Sequence, residues 1–424
     1  MKCQTGLLQI RGNMSKRSRK HQWDKSKIPE LADHSEAKHL ILSAYIQKYL
    51  AIVCQSRKIR EYNITLIDGF SGGGMYKNGK YGSPLVMIDA VSKAVFNINK
   101  NREEHVEIKP NYFFIEKDSE NYDSLINVVT EQYVKHKYVN SINGDFNSNL
   151  PQIITHIKKR NPRGGGGAIF FLDQDGYAAV PIKVLNTIRK ELPKAEIIIN
   201  INITWLIDFI EDSDRFRNTI INMGLSRYLD INEVIELKKN IKDNRSIIEA
   251  RLSVALQQAA GFPYFRPFFI EPFDNHRGYW LLHLSPHYRA HNAMSEVIWE
   301  NGNYMRHYGG DGAKILELSY KGGVNDTPDI FGSTFNDQAK DVHLEGLVRD
   351  LPDIIWKQDQ MTVSSLMENT CNNTAASREM YNNSILSMRD QGDIIILGKA
   401  GGKKRSNTIN PTDILTPQRQ QILI

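Results

Sequence analysis

The chain has 424 residues, 41% of them hydrophobic and 24% charged, with 29 Gly and 15 Pro, a balance that excludes disorder, collagen and coiled coil and predicts a soluble protein of two or three domains. Its most apolar stretch, residues 196–210, is broken by Asn200, Asn202, Thr204 and Asp208, so nothing reads as a membrane-spanning helix. The net charge of +6 is mild, and Cys3, Cys54 and Cys371 lie in no metal-binding or redox spacing, which leaves them structural roles.

Residues 1–34 read as a flexible basic arm carrying Lys16, Arg17, Arg19, Lys20, Lys25 and Lys27. The apolar run at residues 6–10 is too short for a signal-peptide core, and the expected location is the cytoplasm. Helical spacing of Ala37, Leu40, Ile41, Ala44, Tyr45 and Leu50 predicts an amphipathic helix over residues 35–54.

Short β-rich runs follow at residues 63–67, 112–115, 138–142, 168–172 and 196–203, separated by helical patterns at 84–97, 121–135, 150–159 and 181–191. Such alternation predicts an α/β fold with a doubly wound, mostly parallel sheet. The glycine-rich residues 160–167 lead into the fourth run. A helix at 205–210, an unassigned charged stretch at 211–243 and a helix at 245–260 come next. Two further runs, Tyr264–Ile270 and 279–284, read as an antiparallel hairpin. Five parallel strands closed by a hairpin resemble the class I methyltransferase sheet.

Ligands of open α/β sheets bind at the carboxyl ends of the strands, and acids stand there. The first run ends in Asp68-Gly69-Phe70-Ser71-Gly72-Gly73-Gly74, whose glycines let a ligand approach the main chain. Glu116 ends the second, placed to accept hydrogen bonds from ribose hydroxyls. Asp145 follows the third, placed to accept from an adenine amine while Phe146 packs on its ring. The three together fit S-adenosylmethionine better than NAD, although each acid alone also suits a helix cap. The fourth run ends Asp173-Gln174-Asp175-Gly176-Tyr177, where many amino-methyltransferases carry an Asp/Asn-Pro-Pro-aromatic tetrad; Asp173 and Tyr177 are the candidates for positioning an acceptor, with Gln174 and Asp175 breaking the tetrad between them.

Several of these segments, with others, resemble the three-Cys-motif partner proteins (TcmP). The shared residues are His34, Lys38-His39-Leu40 and Tyr45, Asp68-Gly69-Phe70-Ser71-Gly72, Gly82-Ser83-Pro84-Leu85, Asp173 with Gly176-Tyr177, and Tyr279-Trp280-Leu281. The resemblance implies a methyltransferase-like fold, a radical-SAM-like partner protein and a mobile-element or defence setting. Where the family usually has Asp-Pro-Phe-Gly-Tyr this chain has Asp-Gln-Asp-Gly-Tyr, and Gly69 replaces the usual Leu. Ser83 as N-cap and Pro84 in the first turn predict that the helix after the first strand starts near residue 84, leaving a long loop with Met75, Tyr76, Lys77, Lys80 and Tyr81.

The methyltransferase-like domain is expected over residues 35–306, including a helix at 294–305, with a linker or lid at 307–334. Residues 335–424 then read as a winged helix: helix to 349, strand 361–363, helices 364–368 and 375–391, strand 393–397 and a wing at 398–408. Arg378, Tyr381 and Asn382 on the longer helix and Lys399, Lys403, Lys404 and Arg405 in the wing are the candidate nucleic-acid contacts, against a protein-docking alternative. Two rival readings remain at this stage. One is a metal-dependent nuclease or phosphotransferase built on Asp68, Glu116, Asp145, Asp173 and Asp175; the other is a non-catalytic adaptor. His276, His283, His287 and His291 are expected to be structural.

Overall fold

The computed structural model describes residues 29–133, 138–162, 166–270, 279–301, 305–306, 312–313 and 337–418. Most of the expected arm and linker lie outside them. Helix α1 (Asp33–Val53) carries Asp33 and Glu36 in its first turn, where they complement the helix dipole. Strand β1 (Glu61–Asp68), α2 (Ser83–Asn99), β2 (Glu107–Glu116), α3 (Ser119–Tyr133), β3 (Val139–Asn143), α4 (Phe146–Arg160), β4 (Gly167–Leu172), α5 (Ile182–Glu191) and β5 (Ala195–Ile201) then alternate as the patterning predicts.

The fifth strand ends two residues early because Asn202 caps α6 (Ile203–Asp208), accepting from the Trp205 N–H. The unassigned stretch holds α7 (Asp214–Met223), capped by Ser213 and stopped by Gly224 at φ 86°, α8 (Ile231–Lys238), capped by Asp230, and the start of α9 (Ile241–Ala260). Strands β6 (Tyr264–Ile270) and β7 (Tyr279–Ser285) and helix α10 (Tyr288–Asn301) follow, with a two-residue β8 (Met305–Arg306). Helix α10 thus starts six residues before the expected position.

The sheet order is β3-β2-β1-β4-β5-β7-β6-β8. Strands β1 to β5 run parallel, and β7 is antiparallel to both β5 and β6. This is a methyltransferase-like α/β arrangement. Helices α4 to α9 cover one face, around Ile67, Phe170, Ile197 and Trp280. Helices α1, α2, α3 and α10 cover the other, around Leu66, Phe171, Ile198 and Leu281. Near-continuous apolar strands such as Gly167–Leu172 are what burial on both faces demands.

The remaining described residues form α11 (Asp337–Gln358), β9 (Met361–Thr362), α12 (Val363–Thr370), α13 (Arg378–Gln391), β10 (Ile394–Leu397) and β11 (Ile414–Pro417). The helix expected to end at 349 runs on to Gln358 with Pro352 inside it. Strand β11, which the sequence pattern did not reveal, lies between β10 and β9, antiparallel to both. This unit has its own core of Leu347, Leu351, Leu366, Met380, Ile385 and Leu415.

It is also joined to the sheet. The guanidinium of Arg266 on β6, fully buried, donates to the carbonyls of Thr374 and Cys371 (3.3 Å for the latter), to Ser295 Oγ (2.9 Å), and meets His291 Nε2 at 2.8 Å. Trp299 Nε1 donates to Ala375 O (2.8 Å), Phe265 N to Asn372 Oδ1 (2.9 Å) and Asn372 Nδ2 to Pro263 O (2.8 Å).

Candidate functional site

Parallel strands β3, β2, β1 and β4 are neighbours, so the acids that end or follow them stand in one row. Asp68, at the end of β1, is completely buried. Its Oδ1 accepts the Phe70 N–H (3.1 Å), while Oδ2 has no hydrogen-bond partner. Burial raises its pKa to about 7, with the Ser83 hydroxyl and Phe70 N–H opposing and the Asp173 and Glu116 charges assisting.

The loop after Asp68 is pinned from both sides. Gly69 N donates to Phe171 O (3.0 Å) and Ser71 N to Ile115 O (2.9 Å), while Gly72 N donates to Glu116 Oε2 (2.8 Å). Gly72 and Gly74 have φ of 60° and 82°, which glycine alone adopts at little cost. The loop then doubles back: Tyr76 N donates to Lys80 O (2.7 Å) and Gly82 N to Gly74 O (2.8 Å), and a Cβ on Gly82 would lie 2.8 Å from that carbonyl. Helix α2 starts at Ser83 with Pro84 in its first turn; the N-cap position falls on Gly82, and Ser83 turns toward Asp68 rather than capping.

Glu116 ends β2 as expected, but both of its oxygens already serve the protein, Oε2 on Gly72 and Oε1 on Asp118 N (2.8 Å). It ties the glycine loop to β2. Asp145 is the N-cap of α4, accepting from Ser148 N and Oγ (both 3.0 Å). The expectation that Phe146 packs on a ligand ring is corrected: it is 2% exposed and packs among Phe70, Phe170 and Leu172. Its neighbour explains Gly69, where a Cβ would sit 2.8 Å from Leu172 and 3.1 Å from Phe146.

At the end of β4, Asp173 is held by an ammonium group of the chain itself. Lys38 Nζ, on α1, donates to both carboxylate oxygens at 2.6 Å, with Lys38 5% and Asp173 20% exposed. Gln174 faces the core instead, its Oε1 accepting Val180 N (2.9 Å) and its Nε2 buried without a partner. Asp175 is exposed, and Tyr177 is half-buried against the α4–α9 core. Gln174 therefore supports the turn and does not join Asp173 in one pocket.

The residues around Asp173 that sequence reasoning passed over as site residues come from α1 and the long loop. His39 is buried with Nδ1 unpartnered; burial pushes its pKa down to about 4 against the raising influence of Asp173. Its ring lies 6.1 Å from that of Tyr76, whose hydroxyl is pushed up by burial and by Asp173 and Asp68. His34 stacks on Tyr279 at 4.8 Å, and Lys38 Nζ lies 5.7 Å from the Tyr279 ring centroid. The signal for Lys38 was present: it shares a helical stripe with buried Tyr45 and Tyr49, seven and eleven residues on. A cation on a buried face needs a partner. Deeper on that stripe, the Tyr45 hydroxyl donates to Glu196 on β5, which also meets His283 Nε2 at 3.2 Å. His283 and His291 are thus structural, as expected.

Asp173 and Glu116 act on Asp68 electrostatically, but among the described residues no three His, Cys, Asp or Glu side chains come together as a metal site.

In the second unit Lys399, Lys403, Arg405 and Arg378 are exposed. Two expected contacts are corrected. Tyr381 is fully buried with its hydroxyl 2.5 Å from Thr370 Oγ1, and Lys404 is paired with buried Asp413 (2.6 Å). Asn382 is half-buried, its Oδ1 enclosed without a partner. Arg389 bridges α13 to the segment before β11, donating to Ser406 O (3.0 Å) and Asn407 Oδ1 (3.1 Å).

No protein-family model and no curated protein matches the chain. Two solved structures are similar to it at a distance. One is a presumed methyltransferase, yhhF from Escherichia coli, with 14% identity over 38% of this chain and 69% of that one and a TM-score of 0.22. The other is loganic acid methyltransferase with SAH, with 8% identity over 62% of this chain and 99% of that one and a TM-score of 0.23. The methyltransferase-like assignment of the fold rests on strand order and direction. Among the described residues no helix is long and apolar enough to cross a membrane.

Proposed function

We propose that the chain is an S-adenosylmethionine-dependent methyltransferase, with the cofactor at the carboxyl ends of β1, β2 and β3. One observation carries this reading: Asp68 Oδ2 is buried and makes no hydrogen bond, the Ser83 hydroxyl being turned toward the carboxylate without closing one, beside a glycine loop that Glu116 ties to β2 through the Gly72 N–H. An acceptor oxygen left without a donor is costly, and a ligand ammonium would satisfy it. Asp68 would then hold the amino-acid end, the Gly72–Gly74 main chain would lie along the cofactor, and the unused lone pairs of Glu116 would face the ribose. The bound cofactor supplies an electrophilic methyl group on a sulfonium; Asp173, at the next strand end, would orient the acceptor. Among the expected cofactor contacts, Asp145 is left a capping role and Phe146 a core role.

The second unit supports a winged-helix reading in which Lys399, Lys403, Arg405 and Arg378 meet the phosphates of a nucleic acid. The exposed face of α13 also carries Glu379 and Asp390, so the wing provides most of the available positive charge.

Calorimetric titration with S-adenosylmethionine and S-adenosylhomocysteine tests the cofactor reading. Because Asp68 titrates near 7, affinity should be about fivefold tighter at pH 7 than at pH 6, and that dependence should vanish in Asp68→Asn. Absence of binding at both pH values would sink the proposal.

A further inference from the structure

We infer that Asp173 is a binding site for a protonated primary alkylamine, of the kind a lysine side chain presents, and that Lys38 is its resident occupant. The inference deepens the proposed function by naming the class of molecule the site takes up, and it rests on that reading only in placing that molecule beside the cofactor. The site shows an ammonium group already bound: both Asp173 oxygens take a hydrogen bond from Lys38 Nζ at 2.6 Å. The carboxylate is the more exposed partner, 20% against 5% for Lys38, so an incoming amine can reach it from outside while Lys38 withdraws.

The surroundings suit a cation and a short alkyl stem. The Tyr279 ring lies 5.7 Å from Lys38 Nζ, within the range at which an aromatic face attracts an ammonium group. His39 is neutral at pH 7, and its Nδ1 is buried with no partner in the protein. On the other side, Asp68 Oδ2 is a second buried polar atom without a partner. The protein therefore leaves two polar atoms unsatisfied around the one carboxylate that its own lysine neutralises. Asp173, Lys38 and Glu36 are the charged groups that act on His39, and Asp173 and Glu116 those that act on Asp68.

Withdrawal of Lys38 is also feasible. Helix α1 has Ala32 at its N-cap, with no side-chain cap bond, so its first turn lacks about 1 kcal/mol that a Ser or Asp there would give and is held instead by exposed ion pairs such as Lys80–Glu36 (3.0 Å). Lys38 lies in the second turn. A nucleobase amine also hydrogen-bonds a carboxylate but lacks the positive charge that an ammonium pairs with it, so the site favours the cation.

The test is calorimetric titration of the full chain, without S-adenosylmethionine, using n-butylamine and N-acetyl-lysine methylamide as probes and adenosine and cytidine as controls. A tethered Lys38 competes at an effective concentration in the millimolar range or above, so Lys38→Met and Lys38→Gln should bind both amines at least about tenfold more tightly than the natural chain. Adding Asp173→Asn to either variant should abolish that binding, and neither nucleoside should bind preferentially. Amine affinity unchanged in both Lys38 variants, or retained without the Asp173 carboxylate, would overturn the inference, as would preferential nucleoside binding. Amine binding in a chain that fails to bind S-adenosylmethionine would keep the pocket and remove the methyltransferase reading.

Discussion

Asp68 shows how one residue can be constrained by burial and by the chemistry it offers at once. Its folded pKa of about 7 lies above the ordinary 3.8, so the folded state holds a proton that the unfolded chain releases. Stability from this group is present below about pH 4, falls as pH rises toward 7, and levels above that. The ionised, buried carboxylate then costs on the order of 4 kcal/mol. Asp68→Asn should therefore melt higher than the natural chain at pH 8 and nearly equal to it at pH 4, a difference that thermal denaturation at the two pH values measures directly. A second residue prediction concerns Gly69. A side chain there meets Leu172 and Phe146, so Gly69→Ala should lower stability by about 1–3 kcal/mol, seen as an earlier urea midpoint with an unchanged slope.

The elements differ in what their charges do. Lys404 and Asp413 form a nearly buried pair, and removing one partner of such a pair costs about 3–5 kcal/mol. Lys404→Met should accordingly lower the melting temperature of the chain, whereas Lys403→Ala should leave it unchanged. If the wing binds nucleic acid, Lys403→Ala should reduce the salt dependence of binding by about one released counterion, measurable by fluorescence anisotropy across a salt series. Equal effects of the two substitutions on stability would contradict the assignment of Lys404 to the interior. Helix α13 makes the same distinction: Tyr381 belongs to the core and Arg378 to the surface. Their separation by three positions on one helix, which a phosphate-binding reading groups together, is decided by which side the unit's small core occupies.

At the scale of the whole molecule, Arg266 matters most. It is a cation fully buried between the sheet and the second unit, its two Nη groups bonded to carbonyls, a serine and a histidine rather than to a carboxylate, with Nε left unbonded. Hydrogen bonds to a charged donor contribute about 1.5–3 kcal/mol each, so the two units should unfold together. In Arg266→Met the carbonyl of Thr374 loses its donor and that of Cys371 keeps only the His291 contact at 3.1 Å, and calorimetric unfolding should split from one transition into two. A single unshifted transition would show that the joint depends on other contacts.

Much of the architecture was legible in the chain itself. Five strands, their order of appearance and the acids at their ends follow from short, near-continuous apolar runs punctuated by glycine and aspartate, because backbone geometry and burial are local constraints. The helices of residues 211–243 escaped because their capping residues, Ser213 and Asp230, sit in a stretch where charged residues break the apolar positions into short runs. Strand β11 escaped because Pro417 falls within its four residues, and a proline argues against a strand on sequence alone. What only the tertiary structure decided is which polar groups meet. Lys38 and Asp173 are 135 positions apart, and Arg266 and Thr374 are 108 apart; nothing local in either partner specifies the other. Burial of an ion or a donor without a partner is too costly to persist, so the fold selects these pairs, and it is the packing of α1 and of the second unit against the sheet that brings them within reach.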